Sequence, residues 1–361
     1  MKVIIATPYY APKLGGLELY AQHMAEQLAA LGWDVHILTS GKSDSLTYDG
    51  KITVHRLPVM FTISNTPVNP LWIIQARRLI KQLQPDVINV HAPVPSMALA
   101  VSLASGKTPL VVTYHAGSMK KGKFLPDVLI AIYENVFLRL MLTRSTAIIC
   151  ASEFVRGEFL AAWSERSTTI TPGVDSQKFC PEPHNRVAGR VLFIGDFRDP
   201  RKGLNYLLDA IGITPQASLR VVGQGSAVAA SRVEYLGVLT GKSLVAEIQS
   251  ASLLVLPSVT NAESFGMVLI EAMACGVPVI GSDIGGIAYV INDGVNGVLV
   301  PASNATKLAT AIKRILEDSA YAAALVKTAH QDAVNNYSWT KRGLATAEVL
   351  KNATLPEVNR G

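Results

Sequence analysis

The chain has 361 residues, of which 49% are hydrophobic and 17% charged, a composition that describes a folded globular protein and excludes a disordered one. At domain sizes of roughly 100–200 residues the length points to two domains. The net charge of +6 lies in the first half, where residues 1–170 carry 16 Lys and Arg against 11 Asp and Glu while the remainder carries 17 against 16. No aromatic-rich basic stretch accompanies it, so a nucleic-acid partner is not expected, whereas an anionic substrate or an anionic lipid surface fits.

The first element, Lys2–Ala6, is a short apolar run that meets Pro8 with no small-residue cleavage site after it, which reads as a buried strand and not as a signal peptide. Strands are expected again at Val35–Thr39, Thr53–Leu57, Val87–His91, Leu110–Tyr114 and Ala147–Cys150, with helical patterns at Leu17–Leu31, Pro70–Leu83 and Leu125–Leu142 between them. Helices alternating with doubly buried strands predict a parallel sheet covered on both faces. Apolar stretches such as Met97–Ala104 and Val128–Ile132 fall far short of the roughly 18–20 residues of a spanning helix.

Residues 171–189 hold three prolines and two glycines with little periodicity and read as a linker. The alternation then restarts: strand Arg190–Ile194, helix Leu204–Ile211, strand Leu219–Val222, helix Leu244–Ala251, strand Leu253–Leu256, helix Gly266–Ala274, strand Val277–Ile280. The expected fold class is therefore α/β, with an N-terminal Rossmann-like domain over 1–170 and a second over 190–337. Both are doubly wound and face a central cleft. The final helix, within 338–361, either packs back on the first domain or simply ends the second. Cys150, Cys180 and Cys275 lie far apart, so a reduced, cytoplasmic chain without a disulfide framework or zinc site is expected.

Ligands of such sheets bind beyond the carboxyl ends of the strands, which directs attention to the strand-to-helix turns. Glu263 and Glu271 stand eight residues apart around a helix start, with Ser264 as the expected N-cap. The amides of Gly266 and Met267 then lie at the positive end of that helix, suited to a phosphate or a sugar oxygen. Taken alone, the two glutamates serve equally well as a helix-terminal charge and a solvated surface residue.

The whole segment LVLPSVTNAESFGMVLIEAMACGVPVIGSDIGGIAYVINDGVNGVLVP resembles the donor-binding signature of the retaining glycosyltransferases of family four, which have the GT-B fold, and the resemblance runs along nearly the whole chain. It implies that Glu263 binds the transferred sugar and Glu271 the ribose hydroxyls. It also implies that the amides of Phe265, Gly266, Met267 and Val268 meet the sugar and pyrophosphate. The element Gly195–Gly203, GDFRDPRKG, resembles the family's Gly-Arg…Lys-Gly motif, whose cations neutralise the leaving pyrophosphate. Lys202 matches the family lysine, but Asp196 stands where the family has arginine; Arg198 or Arg201 is left to supply that charge, Arg198 being the first choice.

Gly15 and Gly16 resemble the family's N-terminal Gly-Gly loop, which contacts the donor phosphate. Gly223 and Gly225 form a Gly-x-Gly turn that the resemblance places near the nucleotide; position 228 is Val, which breaks the dinucleotide fingerprint and argues against a nicotinamide site. His115, in Thr113-Tyr114-His115, matches the family element whose histidine touches the donor sugar. His91 is a weaker second candidate, expected to pack beneath.

No Asp-x-Asp occurs, and no metal or other cofactor is expected. The implied activity is metal-independent, retaining transfer of a hexosyl group from a nucleoside-diphosphate sugar to a hydroxyl acceptor. That acceptor is a glycolipid, a lipid-linked saccharide or a cell-envelope polysaccharide precursor. The basic run at 119–123, ahead of an amphipathic segment, offers a seat on an anionic membrane; a solvated loop before a core helix explains it equally well. A sugar-nucleotide epimerase of the same architecture and a non-catalytic nucleotide-sugar-binding subunit are the alternatives.

Overall fold

The computed structural model describes residues 1–13, 15–63, 66–117, 119, 124–182 and 185–356. The chain divides into two units, one formed by Met1–Thr171 together with the segment returning from Trp339, the other by Pro172–Ser338.

The first unit begins with β1 (Lys2–Ala6) and α1 (Gly16–Ala30), followed by β2 (Asp34–Gly41), β3 (Ser45–Asp49), β4 (Ile52–Pro58) and the small hairpin β5 (Phe61–Ile63) and β6 (Thr66–Val68). It continues through α2 (Trp72–Leu83), β7 (Val87–Ala92), α3 (Met97–Ala104), β8 (Leu110–Tyr114), α4 (Phe124–Ile132) and α5 (Arg139–Arg144). A π-helical turn at Tyr133–Leu138 joins the last two, and β9 (Ala147–Cys150), α6 (Glu153–Phe159) and β10 (Ser167–Thr169) follow. The sheet runs β10-β9-β8-β7-β1-β2-β4-β3, parallel except for the β3–β4 pair. Its central strands are buried on both faces: every residue of β7 and β8 is buried, as near-continuous apolar runs in a covered parallel sheet require.

The second unit comprises β11 (Arg190–Ile194), α7 (Leu204–Gly212), β12 (Ser218–Val222), β13 (Val233–Gly237), α8 (Gly241–Ser250) and β14 (Leu253–Leu256). It goes on with α9 (Met267–Ala274), β15 (Val279–Ser282), α10 (Ile287–Val290), β16 (Val298–Val300), α11 (Ala305–Glu317) and α12 (Ser319–Asn336). Its sheet is wholly parallel, in the order β13-β12-β11-β14-β15-β16. Strand order reverses between β11 and β14 here, and between β7 and β1 in the first unit; these are the positions where such sheets open a crevice at their carboxyl edge.

The last helix, α13 (Trp339–Ala353), belongs to the first unit. Trp339 stacks on His23 of α1 with ring centroids 4.6 Å apart and meets the edge of Tyr20. Thr346 Oγ1 donates to Met24 Sδ at 3.3 Å, and Leu350 is fully buried among Val3, Ile5 and Val35. Gly343 lies so close to Gln27 that a Cβ would collide with that side chain. The two chain crossings between the units lie side by side: Val174 N–H donates to Tyr337 C=O at 2.6 Å, and Val174 forms a parallel bridge with Ser338.

Candidate functional site

In the second unit the loops after β11 and β14 interlock at the switch point. Val259 N–H donates to the Arg201 carbonyl at 2.8 Å. Gly203 (φ +71°) sits against the Pro257 carbonyl with no room for a side chain, so glycine is required there on both conformational and steric grounds. The interlock brings Lys202 and Glu263, 61 residues apart, into an ion pair of 2.6 Å. Glu263 beside it raises the Lys202 pKa, so the ammonium is held charged.

The helix after Glu263 starts later than its sequence predicts. Its cap is Gly266, in the left-handed region at φ +88°, and not Ser264; no side chain caps it. A Cβ at Gly266 would press on Leu256 and Leu269, so the chain turns into α9 only with glycine at this point. Phe265 is buried beneath the turn, and the amides of Met267 and Val268 open the first turn of α9. Glu271, one turn further in, is half-buried beside Lys178, and burial pushes its carboxyl up to about 7.

The Gly195–Gly203 turn carries two repeats of one device. Arg198 closes back on Asp196 through Nε at 2.9 Å and Nη2 at 2.5 Å, and both side chains are exposed. Arg201 closes on Asp199 through Nε at 3.0 Å and Nη2 at 2.7 Å; this pair is only 30% exposed, and Arg201 feels the charge of Glu263. Gly223 lies against the Gly195 carbonyl and Gly225 against the Phe197 ring, so both glycines serve first to dock the loop after β12 on this turn.

In the first unit Gly15 is extended and Gly16 is the first residue of α1, with the Glu18 carboxylate folded back over Gly15. Burial raises the Glu18 pKa. His115, just past β8, is half-buried, and its Nε2 lies 2.9 Å from Nδ1 of the fully buried His91. His91 Nε2 lies 3.1 Å from Asn89 Oδ1, and Asn89 Nδ2 donates to Val111 C=O at 3.2 Å and Thr113 Oγ1 at 2.9 Å. Burial pushes His115 down to about 3 and His91 well below its ordinary value, so both rings are neutral. Sequence reasoning missed Asn89. Its signal was present in VINVHA, where the polar residues at 89 and 91 share one face of a strand otherwise apolar. Residues 120–123 of the basic run lie outside the described residues.

Family models match both units: Glycosyltransferase Family 4 over residues 14–178 and Glycosyl transferases group 1 over residues 188–318. The D-rhamnosyltransferase WbpZ of Pseudomonas aeruginosa is 30% identical over 334 residues, covering 86% of this chain and 84% of that one. The chain belongs to glycosyltransferase family four. It is a glycosyltransferase, an enzyme that transfers hexosyl groups. The phosphatidyl-myo-inositol mannosyltransferase of Mycobacterium leprae is 27% identical over 361 residues and 94% of each chain.

Solved structures share the GT-B fold of the family. Sucrose-phosphate synthase from Thermosynechococcus elongatus has a TM-score of 0.77 at 23% identity, covering 97% of this chain and 98% of that one. Anabaena HepE in complex with UDP-glucose has a TM-score of 0.76 at 21% identity, covering 97% and 99%. Among the described residues no helix is long and apolar enough to cross a membrane, and no group of three or more His, Cys, Asp or Glu is placed to hold a metal ion.

Proposed function

We propose that this family-four glycosyltransferase moves a hexosyl group from a nucleoside-diphosphate sugar to a hydroxyl of a glycolipid or other cell-envelope saccharide, with retention and without a metal. The observation that carries the reading is the Lys202–Glu263 pair at the β11–β14 switch point, beside the amino end of α9. Lys202 and the first amides of α9 take the diphosphate, Glu263 the sugar hydroxyls and Glu271 the ribose. Gly15, Gly16 and His115 serve the donor from the first unit. Arg201 is the better-supported second cation: it is the more buried arginine and adjoins Lys202, whereas Arg198 is exposed and turned onto Asp196.

In the reaction the bond from the anomeric carbon to the phosphate oxygen breaks and a bond to the acceptor oxygen forms on the same face. The hydroxyl proton passes to the departing phosphate. The transition state is oxocarbenium-like, and Lys202, Arg201 and the helix amides stabilise charge developing on the leaving group before water can reorganise to do so.

The acceptor class is supported by relatives named as a phosphatidyl-myo-inositol mannosyltransferase and a D-rhamnosyltransferase. The donor class is in keeping with HepE, solved with UDP-glucose. A peripheral membrane seat is supported by the helical segment from α4 to α5, where Val128, Ile132, Val136 and Leu140 stand exposed at four-residue spacing beside the exposed Arg139 and Arg144. Co-sedimentation with anionic but not neutral vesicles is expected, and equal recovery with both would remove that seat.

The deciding experiment measures nucleotide release from UDP-, GDP- and dTDP-sugars in EDTA with a membrane lipid extract as acceptor, comparing the parent enzyme with Glu271→Ala. Release from one donor, lost in the variant, is the expected result. Loss of release on adding EDTA sinks the metal-independent mechanism.

A further inference from the structure

The hydrogen bonds joining Asn89, His91 and His115 have a direction that can be followed from one end. Val111 C=O only accepts, so the Asn89 amide turns its NH2 toward it and its Oδ1 the other way. That Oδ1, also only an acceptor, faces His91 Nε2 at 3.1 Å, so Nε2 carries the ring hydrogen. In the neutral ring Nδ1 is then bare. His115 Nε2, 2.9 Å from it with the ring planes within 23°, has to be the donor. His115 is left with a bare Nδ1, and no described residue hydrogen-bonds it.

The packing around the pair protects this order. Tyr20, 1% exposed, sets its ring edge-on to both imidazoles, with centroids 5.9 Å from His91 and 4.7 Å from His115. Its hydroxyl is committed to Ile170 C=O at 3.2 Å, and Trp339 of α13 backs the ring, so Tyr20 shields the rings without competing for their nitrogens.

We propose that Asn89 and His91 are positioning residues for glycosyl transfer: they lock His115 in the Nε2–H tautomer, so that it presents a lone pair at Nδ1 and recognises a hydroxyl of the substrate. A sugar hydroxyl has a hydrogen to give to that lone pair, whereas a carboxylate or phosphate oxygen has none and is turned away. This deepens the reading of His115 as a substrate contact and rests on it.

The test is the 15N spectrum of the full chain labelled at histidine, read together with kinetics on His91→Gln and His91→Phe. Glutamine keeps the polarity of the relay, accepting from His115 and donating to Asn89, while phenylalanine keeps only the ring volume. The parent enzyme is expected to show His115 with a bare Nδ1 and a protonated Nε2. His91→Gln is expected to preserve both that signature and turnover. His91→Phe is expected to mix the tautomers and lower kcat about 10–100-fold with nucleotide affinity unchanged. A purely structural role for His91 reverses the order, favouring the ring-filling variant.

Should His91→Phe fail to fold, the parent spectrum decides alone: a hydrogen on His115 Nδ1 overturns the proposal. Undiminished kcat in a folded His91→Phe protein with an unchanged tautomer overturns it as well. If His115→Ala transfers at the parent rate while the tautomer is as stated, it is the underlying assignment of His115 to the substrate that fails.

Discussion

The two carboxyl edges of this enzyme are built from opposite materials. In the first unit the polar groups that line up behind His115 are neutral and buried: Asn89, His91 and Thr113 are each no more than 2% exposed. In the second they are charged and partly open, with Asp196, Asp199 and Glu263 set against Arg198, Arg201 and Lys202. A neutral group in a dry interior is oriented by matching donors to acceptors, because an unsatisfied one costs about 1–3 kcal/mol. A charge is oriented by its counter-charge and stays near water, where the partner can be exchanged for a ligand at modest cost. The first edge is therefore suited to holding one hydrogen in one place. The second is suited to receiving an anion.

The largest expected effect tests the charged side. Lys202→Ala should lower turnover about 100–1000-fold, the scale for losing one preorganised electrostatic donor, while nucleotide affinity changes little. Single-turnover kinetics beside equilibrium nucleotide binding separates the two, and near-normal turnover would remove Lys202 from the chemistry.

Glu271 sharpens the contrast, because it is a carboxylate that burial pushes toward neutrality. Between the ordinary carboxylate range and about 7 the folded chain binds a proton that the unfolded chain has released. Stability therefore falls as pH rises through that interval and levels off above it. Glu271→Gln should lose this slope and gain up to about 3 kcal/mol over the parent above pH 7, seen as a higher midpoint in urea at pH 8 but not at pH 5. Donor kcat/KM should meanwhile fall, since the carboxamide of that variant cannot accept from two ribose hydroxyls as a carboxylate does. A parallel pH dependence in the two proteins would show that the carboxyl is not desolvated in solution.

Smaller still is the difference between the two arginines. Arg201→Ala should cost about 10–100-fold in kcat/KM, the worth of a charge-assisted hydrogen bond, and Arg198→Ala about twofold or less. The reverse ranking would return the role to Arg198.

The strands legible from sequence were those buried on both faces, such as β1, β7, β8, β11 and β14, whose apolar runs leave no other reading. Those passed over lie at sheet edges or in the small hairpin. β3 is exposed along most of its length with Tyr48 73% open, and β13 pairs on one side only, so neither carries a hydrophobic signature. The site divides in the same way. Glu263, Glu271 and Lys202 stood out through the family resemblance, but the pairing of Lys202 with Glu263 depends on an interlock of two distant loops that no local pattern encodes. The start of α9 was misplaced because Ser264 is a better side-chain cap than Gly266 on propensity. Crowding by Leu256 and Leu269 overrides that preference. Asn89 went unremarked because a single polar residue in a strand acquires meaning only from the neighbouring strand.

The return of α13 has a consequence for the order in which the enzyme is made. Residues 172–338 form a continuous cassette spliced into the first unit, with its two ends adjacent at Val174 and Tyr337. A ribosome releases this cassette whole, free to complete its own sheet, while the unit begun earlier still lacks the helix that covers Tyr20, Met24 and Val3. The part synthesised first is the part finished last, and the enclosure of the His91–His115 pair waits on Trp339 leaving the exit tunnel.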